Sequence, residues 1–187
     1  MTETARIPLR DNGNLVTAMN WYTKRAYGAV MEPALAMAHN RKVLMASMRN
    51  EMRVQKWDAA DDALKDLASL AAAGTVDCSW CMDFGYWVSH GKGIDPAKLE
   101  AVPSWRTSDL FSEVERRVIE YAEAMSTTPL TVTDGMVTGL RELLSDAAIV
   151  EITAIVALEN QRARFNTALG MASQGFKAQC DLRPARA

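Results

Sequence analysis

The sequence is short of the residues that most often do chemistry. Its 187 residues include three cysteines and two histidines, and aromatics make up 7%. An odd cysteine count does not suit a secreted disulfide framework, so the cytoplasm is the expected compartment. The opening MTETARIPLRDNGN lacks the apolar core of a signal peptide. Nor does any stretch approach the ~18 consecutive apolar residues of a membrane-crossing helix, so no membrane partner is expected. Lysine and arginine never run beyond adjacent pairs and the net charge is −2, which leaves no electrostatic footprint for a nucleic-acid backbone. Zinc takes about four ligands, commonly as two close-spaced pairs. Beyond Cys78 and Cys81 the remaining candidates, His39, His90 and Cys180, stand isolated, so neither a metal nor another cofactor is expected.

Runs of Val, Ile and Thr are also scarce, whereas alanine is common, methionine numbers 11, and 49% of residues are apolar. That balance favours helices over strands. Apolar periodicity places helices from Pro33 to about Met52 (with a possible break at HNR), from Ala59 to Ala73 with Gly74 as a stop, and from Cys78 to Ser89. HGKGIDPAKLEAVPSWRTSD reads as a loop with at most one short helix. Ser112 and Glu115 form a capping box that opens a helix to about Met125. Helices over Asp134–Leu144 and Asp146–Leu169 follow, the last stopped by Gly170. The expectation is an all-α bundle of about six or seven helices. Residues 1–30 read as an irregular N-terminal arm with at most a short helix in NWYTKRAYG, residues 31–176 as the helical domain, and 177–187 as a C-terminal tail.

The functional question sits in VDCSWCMDFGYWVSH, residues 76–90. Cys-x-x-Cys at a helix start brings two thiols within reach of a disulfide. The unpaired N–H groups and the dipole there stabilise a thiolate, lowering a thiol pKa from about 8.5 into the range of roughly 3.5–7.5. The same spacing also serves half-sites for zinc and pairs of inert buried cysteines.

The stretch DLASLAAAGTVDCSWCMDFG resembles the carboxymuconolactone decarboxylase-like family, which includes the alkylhydroperoxidase D enzymes. Its motif is an acidic residue, eleven intervening residues, Cys-x-x-Cys, three residues and a histidine. Here the acidic place falls on Asp66, the thiols on Cys78 and Cys81, and the histidine place on Gly85. IDPAKLEAVPSW, SDLFSEVERRVIEYAEAMSTTP and VEITAIVALENQRARFNTALG extend the likeness over about residues 31–176, to a branch that lacks the motif histidine. The resemblance implies a helical trimer or hexamer with the cysteines facing a cavity. It also implies that Cys81 attacks a peroxide, Cys78 resolves the sulfenic acid, and a dithiol reductant or redox adaptor protein restores the pair. Asp66 is the implied thiol-directed acid or base.

Other polar residues compete for the part that Gly85 cannot play. His90 lies nine residues beyond Cys81, on the opposite helix face, and reads as a loop or helix-end residue. Asp83 points away from Cys81 and reads as a surface residue. In the last helix Glu159 and Asn166 fall within the apolar face of Ile152, Ile155, Val156 and Ala163. A buried carboxylate is costly unless paired, and Arg162 is within pairing reach. Glu159 is therefore a structural ion-pair member, a subunit contact, or the proton acceptor beside the cysteines. Cys180, near a C-terminus expected to fray, reads as dispensable. Three functions remain open: a peroxide-reducing thiol oxidoreductase, a non-enzymatic redox sensor or helical interaction protein on the same scaffold, and a lactone decarboxylase using acid–base chemistry alone. Trp21, Tyr22 and Tyr27 on the arm point to a homo-oligomer.

Overall fold

The structure, a computed structural model, describes residues 5–182. Among them are nine α-helices and two 3-10 helices, with no strand. The count exceeds the expected one because the arm carries a full helix, the stretch from Pro33 splits into two at HNR, and the Pro/Gly-rich stretch adds a short one. The last five residues of the expected tail, and the first four of the arm, lie outside the described residues. No described helix is long and apolar enough to cross a membrane. The chain divides into two compact units, Met1–Lys56 with Ala168–Ala172, and Trp57–Thr167 with Ser173–Ala187.

In the first unit the supposed irregular arm carries a helix, α1 (Asn14–Tyr27), which buries Val16, Met19 and Thr23. Trp21 and Tyr22 lie off that buried stripe and are 69% and 56% exposed. Pro33 enters the first turn of α2 (Glu32–Met37), where its missing N–H is harmless. The break at HNR is real. Asn40 caps α3 (Arg41–Val54), its side chain accepting the N–H groups of Lys42 and Val43. Val16, Met19, Leu35, Ala38 and Leu44 make the small core of this unit.

The second unit is built on α4 (Asp62–Thr75), capped by the Asp61 side chain. Its alanine-rich stripe buries Leu64, Leu67, Ala68, Leu70, Ala71 and Ala72. Small side chains there let neighbours come close, and two do: α5 (Ser79–Gly91) and α7 (Glu113–Ser126). Gly74 does not stop α4 but sits in its last turn, and Asp77, at φ 58°, makes the left-handed turn into α5. The Pro/Gly-rich stretch holds α6 (Pro96–Ala101) and a 3-10 helix over Val102–Thr107. Arg116 of α7 ties that stretch down, donating to the carbonyls of Phe111, Trp105 and Ser108. The Ser112–Glu115 capping box opens α7 as expected. Then come α8 (Asp134–Arg141), α9 (Asp146–Ala168) and a 3-10 helix over Lys177–Leu182. Val118, Ile119, Ala122, Ile152 and Val156 are wholly buried in the core.

One polar knot anchors α9 to the entry of α4. The Glu151 carboxylate accepts the N–H groups of Ala59 at 2.9 Å and Ala60 at 3.3 Å, and Lys65 Nζ at 2.9 Å. Lys65 also donates to the Trp57 carbonyl at 2.7 Å and pairs with Asp62 at 2.8 Å. Burial acts to raise the Glu151 carboxyl, but Lys65 and the two backbone donors hold it below its ordinary value. Burial acts to lower Lys65, yet Asp62 and Glu151 raise it overall. The lowered carboxyl contributes stability above its unfolded value of about 4.3, which is lost as the pH falls through the folded value. The raised ammonium contributes below about 10.4 and is lost as the pH rises through its folded value. Glu151→Ala should cost about 3 kcal/mol in urea unfolding at neutral pH, because it leaves two amides unpaired and takes from buried Lys65 one of its two carboxylates. Between about pH 5 and about pH 3 the variant should lose less stability than the parent. Equal acid slopes would remove Glu151 from the acid transition.

Candidate functional site

The site is assembled at the first turn of α5. Cys78 is its N-cap, and the Cys78 sulfur accepts the Cys81 N–H at 3.2 Å. The two cysteines are joined as a disulfide, with Cα atoms 5.3 Å apart. Cys78 is 1% exposed and Cys81 5%. At 100° per residue α5 presents three faces. Cys78, Met82, Gly85 and Ser89 face α4, Trp80, Asp83, Phe84 and Trp87 face the C-terminal segment, and Cys81 lies at the edge toward α9.

The first face sets what surrounds the sulfurs. Helices α4 and α5 run antiparallel, since a Cβ on Gly74 would lie 3.6 Å from Met82 Sδ, while Lys92 Nζ bonds Asp66 at 2.8 Å. A Cβ on Gly85 would come within 3.0 Å of Leu70 Cδ2. The place of the motif histidine is thus filled by a core leucine. Asp66 lies further along the hairpin, level with Ser89, eight residues and about 12 Å along α5 from Cys81. Burial raises its carboxyl above the ordinary value, against the pull of Lys92, and its Oδ2 is buried without a hydrogen bond. The structure therefore sets Asp66 beside Lys92 and not beside the thiols. A cavity of about 190 Å³ opens on this side, lined in part by Leu70, Gly74, Thr75, Met82 and Glu123.

The second face corrects two expectations. Asp83 is not a surface residue: it is 7% exposed. Its carboxylate accepts the backbone N–H groups of Gln174 at 2.9 Å, Phe176 at 3.0 Å and Lys177 at 2.7 Å. Trp80 Nε1 donates to Gln174 Oε1 at 2.8 Å, and Phe176 packs edge-on against Trp80 and Phe84. The segment after α9 is so strapped along α5. Cys180, in the 3-10 helix of that strap, does not fray but is buried. His90 occupies the last turn of α5, its ring stacked on Tyr86.

On α9 the face picked out by periodicity is the buried one: Ile152, Ile155, Val156, Glu159, Ala163 and Asn166 all lie inside. Glu159 Oε2 accepts from Arg162 at 3.0 Å. The residue that meets the site is Asn166, whose Nδ2 lies 3.4 Å from Cys81 Sγ. Glu159 is seven residues earlier, about 10 Å along the helix. The polar pair was visible in the sequence, but which member reached the sulfur depended on the register of α9 against α5. Among the described residues no three His, Cys, Asp or Glu side chains converge where a metal ion could sit.

An all-helical protein with a buried Cys-x-x-Cys disulfide at a helix start is the class these features define. Residues 42–124 match the Carboxymuconolactone decarboxylase family. YnjA, an uncharacterized protein of Escherichia coli (strain K12), is 33% identical over 173 residues, covering 92% of each chain. The chain belongs to the carboxymuconolactone decarboxylase family. Its fold is shared with the debrominase Bmp8 (TM-score 0.80, 20% identity, 97% of each chain), for which a cysteine-to-alanine variant is known in complex with 2,3,4-tribromopyrrole. It is shared too with a peroxidase-related protein from Silicibacter sp. TM1040 (TM-score 0.83, 15% identity, 96% of this chain and 98% of that one).

Two outcomes test this geometry. Gly85→His should destabilise by about 1–3 kcal/mol, since overpacking against Leu70 outweighs the helix gain of about 0.5–1 kcal/mol. The loss should shrink when Leu70→Ala is already present, and an additive thermal-melt cycle would place the histidine elsewhere. Asp83→Ala should free the strap, so that Cys180 is alkylated faster at native pH. An unchanged Cys180 labelling rate by mass spectrometry would separate the carboxylate from the strap's hold.

Proposed function

We propose that this protein is a thiol-dependent oxidoreductase that reduces a peroxide with the Cys78–Cys81 pair. The observation that carries the reading is the disulfide at the α5 start, with one sulfur on a backbone N–H and the other beside a side-chain amide. In the reduced protein the Cys81 thiolate attacks the peroxide, breaking the O–O bond to give a sulfenic acid and, after proton uptake, an alcohol. The Cys78 thiol condenses with the sulfenic acid, forming the S–S bond and releasing water. A dithiol reductant or adaptor protein returns two electrons and two protons to the pair. The helix start stabilises the thiolates through its unpaired N–H groups. Asp66, with its raised carboxyl at the α4–α5 face, is proposed to accept or give protons through water, and Glu159, paired with Arg162 on α9, to act on the α9 side. The cavity beside Met82 has room for a small substrate.

A second reading, reductive dehalogenation of a small brominated aromatic, is supported by the likeness to Bmp8 over nearly the whole chain. There the same pair would supply two electrons, the carbon–bromine bond giving a carbon–hydrogen bond and bromide while the disulfide forms. The exposed Trp21 and Tyr22 support a homo-oligomer, a trimer or hexamer, and light scattering at micromolar concentration should show one.

The reduced protein is treated with one equivalent of an alkyl hydroperoxide, and separately of a bromopyrrole. The Cys78–Cys81 peptide should lose two hydrogens with the peroxide, and a dithiol donor should sustain turnover. Cys81→Ser should abolish consumption, while Cys78→Ser should stop at the sulfenic acid. Oxidation by the bromopyrrole alone would select the second reading. Inertness to both would leave neither.

A further inference from the structure

With Leu70 Cδ2 within 3.0 Å of where a Gly85 Cβ would stand, the place of the motif histidine on the α4 side holds an apolar side chain and no donor. The α9 side holds one. Asn166 is 2% exposed, so its amide is withdrawn from water and its few polar neighbours matter. Among the described residues the polar atom bonded to Cys81 Sγ is Asn166 Nδ2 at 3.4 Å, within sulfur hydrogen-bond range.

We propose that Asn166 is a catalytic residue of this site, its side-chain N–H stabilising the Cys81 thiolate as a neutral donor where no titrating side chain among the described residues bonds the sulfur. This rests on the thiol chemistry proposed above but names a residue that chemistry did not use. The two sulfurs then carry matched support. Cys78 takes the Cys81 N–H, and Cys81 takes the Asn166 amide. A buried thiolate without such donors would be too costly to form. A hydrogen bond to the charged form lowers the cost of that form.

Charged groups on the surrounding elements have partners of their own. On α4, Asp66 bonds Lys92; on α5, Asp83 bonds the strap; on the strap, Lys177 pairs with Glu100. On α9 itself, Arg162 and Glu159 pair with each other one and two turns from Asn166. A primary amide does not titrate across the accessible range, so Asn166 adds no limb of its own to a pH profile. The rate of Cys81 should follow one ionisation, that of the thiol.

The test uses the reduced full-length protein and iodoacetamide, with alkylation at Cys81 and Cys78 read separately by mass spectrometry from acid to alkaline pH. The parent should give a single-limbed profile for Cys81. Asn166→Ala should move it upward by about one pH unit, so that Cys81 reacts about tenfold more slowly below the pH at which its thiol ionises, while Cys78 changes less. Asn166→Asp, close in shape but anionic, should move it further, since a carboxylate repels the thiolate. Loss of thiolate stabilisation should also make the disulfide harder to reduce, and above the pH at which the thiol ionises a tenfold change converts to about 30 mV toward more negative potential. Should Asn166→Ala fail to fold by circular dichroism, Asn166→Asp and Asn166→Ser carry the measurement. Cys81 profiles and potentials that superimpose on the parent's in folded variants would overturn the assignment. No peroxide enters the assay, so a shifted thiol without peroxide turnover would sink the peroxidase reading and leave Asn166 standing. Peroxide turnover with an unshifted thiol would do the reverse.

Discussion

The contact on which the site depends is the close approach of α4 and α5 at Gly85. Helices pack at 8–10 Å according to the side chains between them, and here one position has none. Leu70 packs into the gap, its Cδ2 within 3.0 Å of where a Cβ would stand. The hairpin turn at Asp77 is short, so this packing fixes the depth at which the α5 start lies in the core. It explains why both cysteines are buried although they sit at a helix end, a place usually wet. It also moves Asp66 out along the hairpin, because the antiparallel register pairs it with the far end of α5.

Burial of the pair creates a problem that the rest of the site answers. Neutral thiols are content among alanines and leucines, and thiolates are not. The chain supplies dipoles rather than charges. The first turn of α5 offers N–H groups, and α9 offers one amide. Asp83, two residues after Cys81, would place a negative charge near the same turn, which opposes a thiolate. Three backbone N–H groups of the strap absorb that charge and turn it into a fastener. The aromatic wall of Trp80, Phe84 and Phe176 closes the same side against water.

Much of this was legible in the sequence because it was local. Helix starts at Asn40 and Ser112 announce themselves by cap residues that bond amides two or three positions on. The buried face of α9 followed from periodicity alone, and so did the intrusion of Glu159 and Asn166 into it. What the sequence withheld was long-range. Asp83 looked solvated because its three partners lie some ninety residues away. The arm looked irregular because α1 has a thin apolar stripe and an exposed Trp21 and Tyr22. Gly74 looked like a stop, but the chain turns left-handed at Asp77 instead. The choice between Glu159 and Asn166 required a register between helices, which spacing within one helix cannot give.

A site of this kind separates two tasks that a histidine would combine. An imidazole both removes the thiol proton and, once charged, steadies the thiolate. An amide does only the second. The proton must then leave through water or through a carboxyl that does not touch the sulfur, the part proposed above for Asp66, whose carboxyl is raised by burial. Its distance from Cys81 makes the transfer indirect, so proton removal and nucleophilic attack become separable steps. In a buried pocket the first of these is slowed by the scarcity of water, while the second keeps whatever the dipoles supply. The lost histidine would then show in how fast the thiolate forms more than in how stable it is once formed.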